Sequence, residues 1–152
     1  MKAVIQRVSH AEVAVDGAIV GSCGEGLMIL LGVAQGDCEE DAQLLCRKIA
    51  NLRIFQDDAG KMNRSVKDID GEALVISQFT LMANYRHGNR PDFMASAKPE
   101  EANRLYEYFT ELLRLELRRV ENGVFGASMQ VSLLNNGPVT IVMDSDVLKT
   151  KK

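Results

Sequence analysis

The sequence contains few of the residues that build disulfide frameworks, metal sites and histidine-based catalytic clusters. It has no tryptophan, two histidines and three cysteines (Cys23, Cys38 and Cys46), with no CxxC spacing. An odd number of cysteines at these spacings indicates neither a disulfide framework nor a zinc site, and reduced thiols fit a cytoplasmic protein. No HExxH motif, no P-loop and no GxGxxG after a strand occurs, so we expect neither a metal nor an organic cofactor.

The chain also lacks a long apolar run and a strong charge of one sign. The longest nearly uninterrupted apolar stretch, residues 27–34, is too short to span a bilayer, and the N-terminus turns polar before a signal-peptide core could form. The net charge is −3 and the pI is near 5.4. These values argue against a protein that binds long nucleic acids such as DNA, but not against one that holds the end of a strand.

Two local basic clusters stand out against this acidic background. The first, Arg86, His87 and Arg90, is equally compatible with a solvated surface and with a phosphate site; the second, Lys149, Lys151 and Lys152, is more typical of a surface. With 152 residues, 46% of them hydrophobic, the sequence predicts a single domain over residues 1–152 with no membrane partner.

Residue periodicities predict an α+β protein with mainly antiparallel β-sheets packed on two principal helices. Strands are predicted over 2–8, 27–33 and 72–81, with a hairpin over 10–23 and a hairpin-like pair over 127–134 and 139–144. One helix is predicted from a capping box at Asp37 and Glu40 to about Arg53, and the other from Pro99 to about Arg119, with Gly123 as a stop. A turn over 56–61 and a polar loop over 83–93 complete the pattern.

The segment Ser77-Gln78-Phe79-Thr80-Leu81 ends an apolar strand with three polar side chains in four positions. Strand alternation would place Ser77, Phe79 and Leu81 on one face and the other two on the opposite face. Clustered hydroxyl and amide groups at a strand end could form a pocket wall, although a half-exposed strand would explain the same residues.

The segment Asn135-Asn136-Gly137-Pro138-Val139-Thr140 lies between two apolar runs. An Asn-Gly pair in this position favours a hairpin turn, but the proline that follows cannot donate to a sheet. Two interpretations remain open from these residues: an ordinary turn, or a rigid main-chain finger that presents carbonyl oxygens to a ligand.

Taken together, the two segments resemble the two signature motifs of the D-aminoacyl-tRNA deacylase family. The resemblance extends, in order and spacing, over nearly the whole chain, including Lys2-Ala3-Val4-Ile5-Gln6-Arg7-Val8, Asn51-Leu52-Arg53-Ile54-Phe55, Gly60-Lys61-Met62-Asn63, Gly88 with Arg90-Pro91, Phe125-Gly126 and Met129-Gln130-Val131-Ser132-Leu133. It implies a β-barrel-like sandwich, and a hydrolase that releases D-amino acids, and also glycine, from the acceptor end of tRNA. It also implies a homodimer with active sites at the interface, in which a finger containing a cis Gly137–Pro138 bond enters the partner's pocket and rejects L-aminoacyl groups.

The resemblance also implies roles for single residues. Arg7 would hold the finger, and Phe125 and Met129 would contact the terminal adenosine. Ser77 and Gln78 would position the ester and the ribose, while backbone N–H groups near Phe79 and Thr80 would stabilise the oxyanion.

Thr80 is the candidate nucleophile, but no general base lies near it in the sequence, and the family pattern favours assistance by the ribose hydroxyl. Asn89 and Asp92 depart from the family pattern, in which a second basic residue and a small polar residue are common at these positions. Two alternatives stay open: a chirality-relaxed enzyme that clears mischarged L-alanyl-tRNA, and a non-catalytic protein that binds tRNA ends.

Overall fold

A long first strand organises the main sheet in the computed structural model, which describes residues 1–149. The predicted lysine cluster at positions 151 and 152 lies outside these residues. The strands are β1 (Lys2–Val15), β2 (Ala18–Cys23), β3 (Gly26–Gly32), β4 (Phe55–Gln56), β5 (Met62–Arg64), β6 (Glu72–Ser77), β7 (Val120–Asn122) and β8 (Gln130–Asp144). The helices are α1 (Glu39–Ala50), α2 (Pro99–Glu116) and α3 (Ser145–Lys149), with a 3-10 helix at Phe79–Met82.

The main sheet is mixed and nearly closes into a barrel. β2 and β3 pair with successive parts of β1, the order continues from β3 to β6 and β7, and β8 pairs with β1 along both parts. β1 is antiparallel to β2, β3 and β8, whereas β6 runs parallel to both β3 and β7. The end strands β2 and β7 lie close enough for the Ser22 N–H of β2 to donate to the Glu121 carboxylate of β7 over 2.9 Å. The α+β class and barrel-like form are therefore confirmed, but the sheet is less antiparallel than predicted.

β1 is continuous where the sequence predicted two strands with a break near residue 9. The pairing of β1 with β8 shifts register between Gln6 and Val8 and again between Val8 and His10. These shifts change which side chains face inward: Ile5 belongs to the larger core cluster, and Val8 and Val13 belong to the smaller one. The imperfect alternation in the sequence therefore reflects bulges in one strand and not a break.

The predicted C-terminal hairpin is wrong. Both halves of β8 pair with β1, since Ala14 to Val8 face Gln130 to Asn135 and Gln6 to Lys2 face Thr140 to Asp144. A two-residue type I′ turn would need positive φ at Asn136 as well as Gly137, and only the glycine has it. The chain therefore continues along β1, and residues 136–139 bulge out opposite Arg7.

The ends of three other elements also differ from the prediction. β6 stops at Ser77, and the 3-10 helix replaces the predicted strand up to residue 81, so the predicted alternation of side chains does not hold there. α1 begins after Cys38, whose N–H donates to the Asp41 carboxylate over 2.9 Å, and α1 ends at Ala50. α2 begins at Pro99 as predicted but ends at Glu116, with β7 before Gly123.

The helices pack on one side of the sheet and enclose the larger core. Ile29, Leu45, Leu105 and Phe109 are fully buried there. α3 is fixed to α1 by polar contacts: Ser145 Oγ donates to Asp41, and Lys149 Nζ lies 2.6 Å from the same carboxylate. Among the described residues, no helix has both the length and the apolar character needed to cross a membrane.

Candidate functional site

A cavity of about 680 Å³ opens where β6 ends, beside the start of α2. It is lined by Val33, Ile76, Ser77, Gln78, Phe79, Phe93, Met94, Ser96, Ala97, Lys98, Pro99, Ala102, Phe125, Gly126, Ala127, Met129 and Val131. Mostly apolar walls with a few polar groups are typical of small-molecule and nucleoside pockets. Five predicted site residues line it: Ser77, Gln78, Phe79, Phe125 and Met129.

The turn from β6 into the 3-10 helix forms the polar wall of this cavity. The Gln78 N–H donates to the Leu31 carbonyl over 2.8 Å, which extends the contact with β3 by one residue before the chain turns. Phe79 is 54% exposed and packs edge-on against Phe93, with 5.1 Å between ring centroids. N–H groups in the first turn of a helix have no partner within that helix, so those of Phe79 and Thr80 are suited to receive an oxyanion.

Thr80 is exposed and does not line the cavity. Its hydroxyl accepts a hydrogen bond from Gln78 Nε2 over 2.5 Å. Among the described residues, no histidine, lysine or carboxylate is hydrogen-bonded to this hydroxyl. Within residues 1–149 of one chain, Thr80 therefore has no hydrogen-bonded base of the kind that an attacking threonine requires.

The bulge in β8 presents a short segment of main chain, residues 136–138, which we call the finger. All three residues are exposed, and the Gly137–Pro138 peptide bond is cis, as the family resemblance implies. The Arg7 side chain anchors the finger, because its Nε donates to the Asn136 carbonyl over 2.8 Å. Its Nη1 donates to the Ile54 carbonyl over 2.7 Å, which fixes the arginine itself. Because only 7% of Arg7 is exposed, its guanidinium links two segments through the interior.

Asn135 closes the bulge from the side. Its Oδ1 accepts the Val139 N–H over 2.9 Å, and its Nδ2 donates to Thr140 Oγ1 over 3.0 Å. Gly137 has φ +141°, and a Cβ at this position would lie 3.0 Å from Arg7 Nη2 and 2.9 Å from Val139 Cγ2. Glycine is therefore required by both conformation and space.

The predicted residues form two separate groups. Arg7, Gly137 and Pro138 lie at the bulge and do not line the cavity, whereas Ser77 and Phe79 do. The sequence interpretation did not assign Asn135, although its motif contained it. Phe93, which ends the predicted polar loop over 83–93, and Met94, which follows it, also line the cavity without having been predicted; two large apolar residues at this point were a signal that could have identified them.

Gly123 leaves space for the side chains of the opposite wall of the cavity, which contains Phe125 and Met129. A Cβ at this glycine would lie 2.5 Å from Met129 Sδ and 3.2 Å from Ile76 Cδ1. Phe125 packs against Tyr106, with 6.0 Å between ring centroids. Burial raises the pKa of the Tyr106 hydroxyl, which donates to the Val75 carbonyl over 2.9 Å and stays neutral. This wall is thus a packed support and carries no titrating group at neutral pH.

Metal ligands are not gathered at this site. Within residues 1–149, no group of three or more histidine, cysteine, aspartate or glutamate side chains could hold a metal ion.

Comparison with known proteins identifies the family. The family model described as D-Tyr-tRNA(Tyr) deacylase matches residues 4–144. The chain belongs to this deacylase family. A relative from Ruegeria pomeroyi, named D-aminoacyl-tRNA deacylase, is 59% identical over 144 residues, which cover 95% of this chain and 99% of the relative.

Two solved structures share the fold of this deacylase family member. One, described as "c-Myc DNA Unwinding Element Binding Protein", has a TM-score of 0.90 and 43% identity, covering 95% of this chain and 98% of the other. The second, described as a probable eukaryotic D-amino acid tRNA deacylase, has a TM-score of 0.81 and covers 94% of this chain and 98% of the other, but at 15% identity it supports the fold alone. DNA binding in the first description concerns that protein, and the absence of a DNA partner here stays a prediction.

Proposed function

We propose that this protein hydrolyses the ester bond between a D-amino acid and the terminal ribose of tRNA, and spares the L-aminoacyl ester. The general activity, removal of an aminoacyl group from tRNA, is that of the family to which the chain belongs. What carries the proposed stereochemistry is the finger, an exposed segment of main chain that Arg7 and Asn135 fix in place.

The chemistry requires little from the protein because the ester is already activated. Ser77 and Gln78 would position the ester and ribose, while N–H groups of Phe79 and Thr80 would donate to the oxyanion of the tetrahedral intermediate. Phe125 and Met129 would contact the terminal adenosine on the opposite wall. We assign proton transfer to the neighbouring ribose hydroxyl of the RNA, since Thr80 has no partnering base.

Selectivity would come from a collision with main chain. Carbonyl oxygens of Gly137 and Pro138, set beside the substrate Cα, would press against an L side chain and leave room for a D side chain. A glycyl group has no side chain and would also be accepted. Such a filter must be stiff, and the buried Arg7, itself anchored on the Ile54 carbonyl, would supply stiffness through its hydrogen bond to the Asn136 carbonyl.

We further propose that a homodimer builds the complete site. The finger does not line the cavity of its own chain, so a second chain would have to supply it. Within the described residues, the outer edge of β8 has no paired strand, and Leu134 and Val142 on β8 are 54% and 77% exposed. A long unpaired strand edge with apolar side chains is the type of surface that a second chain covers.

Hydrolysis of D-tyrosyl-tRNA and L-tyrosyl-tRNA by the purified protein tests the proposed function. We expect rapid release of D-tyrosine and little release of L-tyrosine, together with release of glycine from glycyl-tRNA. Equal rates on both enantiomers would contradict the filter. An enzyme that clears L-alanyl-tRNA would release alanine, and a tRNA-end binding protein would release nothing.

The cytoplasmic location and the single domain over residues 1–152 belong to the same proposal. Fractionation of cells that express the protein tests the location.

A further inference from the structure

The loop over residues 85–91, which we call the basic loop, carries positive charge that nothing in the described chain neutralises. Arg86 and Arg90 are exposed, and neither forms an ion pair or a side-chain hydrogen bond within residues 1–149. Most other arginines do, as for Arg64 with Asp58 and Arg104 with Glu101, although the exposed Arg47 on α1 is unpaired within the same residues. In a protein of net charge −3, paired arginines would be the ordinary outcome.

The basic loop is held in place at its base. Asn84 and Asp92 exchange two backbone hydrogen bonds of 2.8 and 3.0 Å, and the Arg86 N–H donates to Asn84 Oδ1 over 3.1 Å. Gly88, at the tip, has φ +67°, which permits the chain to reverse there. The loop is thus a closed, supported projection and not a loose connection.

The chain just after the base of this loop is part of the cavity wall. Phe93 and Met94, which follow Asp92, line the cavity, and Phe93 packs on Phe79. Lys98, another exposed cation without an ion pair in the described residues, also lines the cavity. Lys98 therefore places positive charge at the cavity, and the basic loop precedes the Phe93–Met94 part of the same wall in the chain.

A polynucleotide whose last nucleoside occupies the cavity must leave through the cavity entrance and carries one phosphate charge per nucleotide. We propose that Arg86 and Arg90 bind backbone phosphates of the single-stranded 3′ end of the substrate RNA, just outside the cavity. The proposal rests on the proposed function, because it takes the terminal nucleoside to lie in the cavity. Phosphate contacts of this kind give affinity and orientation without reading sequence.

The test compares two substrates and two charge-matched double variants. The substrates are D-tyrosyl-tRNA and D-tyrosyl adenosine, which has the same ester and no phosphate. The test variant is R86A/R90A. The control is R47A/K48A, which removes two exposed cations from α1, where no residue lines the cavity.

We expect R86A/R90A to lower kcat/KM for the tRNA relative to that for the adenosine ester by about tenfold, through KM, since each exposed charge contact is worth a few-fold. The slope of log(kcat/KM) against log salt should become shallower by about 1.4, because each phosphate contact on a single strand contributes about 0.7. R86K/R90K keeps the charge and should restore the slope, which a merely structural role would not predict.

An equal loss on both substrates, an equal loss in R47A/K48A, or an unchanged salt slope would overturn this role for the basic loop. Failure of the proposed function gives a different result, because the wild-type protein would then hydrolyse neither substrate and the phosphate role would fall with it.

Discussion

Replacing Arg7 with methionine should weaken stereochemical selectivity more than it weakens hydrolysis. Methionine fills much of the space of the arginine stem but cannot donate to Asn136 or Ile54. Only the hydrogen bond to Asn136 lies on the finger, and one hydrogen bond from a charged donor contributes about 1.5–3 kcal/mol. Since 1.4 kcal/mol corresponds to about tenfold, the population of the fixed finger would fall by up to about a hundredfold.

The assay is the ratio of deacylation rates for D-tyrosyl-tRNA and L-tyrosyl-tRNA. We expect this ratio to fall in R7M by up to about a hundredfold, chiefly because the L rate rises as the finger yields. R7K should be intermediate, because a lysine can reach one carbonyl but not both.

R53M is the matched control. Arg53 also donates to a main-chain carbonyl, that of Asn63, but it is exposed and does not contact the finger. Loss of the Arg53 side chain should leave the D/L ratio of deacylation rates unchanged. If R7M is folded, as verified by its thermal transition, and keeps the wild-type D/L ratio, Arg7 does not stiffen the filter.

Three further predictions concern single side chains. N135A should also lower the D/L ratio, because the Val139 N–H loses its acceptor; an unchanged ratio in steady-state assays would mean that the bulge holds its shape without this clamp. T80A should keep the D rate within about tenfold of wild type, since a positioning residue contributes less than a nucleophile; complete loss, with an acyl-enzyme trapped in the wild type, would identify Thr80 as the nucleophile. Burial by itself raises the pKa of Asp41, but hydrogen bonds from Lys149 and Ser145 outweigh it and hold the pKa below its usual range. The ionised Asp41 therefore stabilises the folded protein fully above its unfolded-state pKa of about 4. This stabilisation is lost as the pH falls through the lower folded-state pKa. In urea unfolding, D41N should be less stable by about 2 kcal/mol at pH 7, with a difference that shrinks below about pH 4; a difference independent of pH would contradict this.

Local sequence patterns identified elements whose partners lie nearby in the chain. The Asp16-Gly17 turn between β1 and β2 and the start of α2 at Pro99 follow from residue chemistry over a few positions. The course of β8 does not, because its Asn-Gly pair favours a turn locally while β1, more than a hundred residues away, offers a partner to both halves. Short elements such as β7 and α3 depend on tertiary contacts and leave no periodic signal.

The same distinction applies to the site. A motif predicts Ser77, Gln78 and Phe79 as site residues, and they lie on one wall of a cavity. Their conformation was mispredicted, because strand alternation does not continue into a 3-10 helix. The anchoring of Asn136 by Arg7 depends on the register of β1 with β8, which no local pattern encodes.

The central claim is that main chain from one subunit completes the pocket of the other. Two variants test it: A127W, which fills the cavity, and G137A, which displaces the finger because a Cβ there would meet Arg7 and Val139. Heterodimers of the two, isolated through different affinity tags, contain one intact site if the site is shared between chains. The account predicts that these heterodimers hydrolyse D-tyrosyl-tRNA with the wild-type D/L ratio, whereas a D/L ratio equal to that of the G137A homodimer, or a protein that is monomeric in solution, would contradict it.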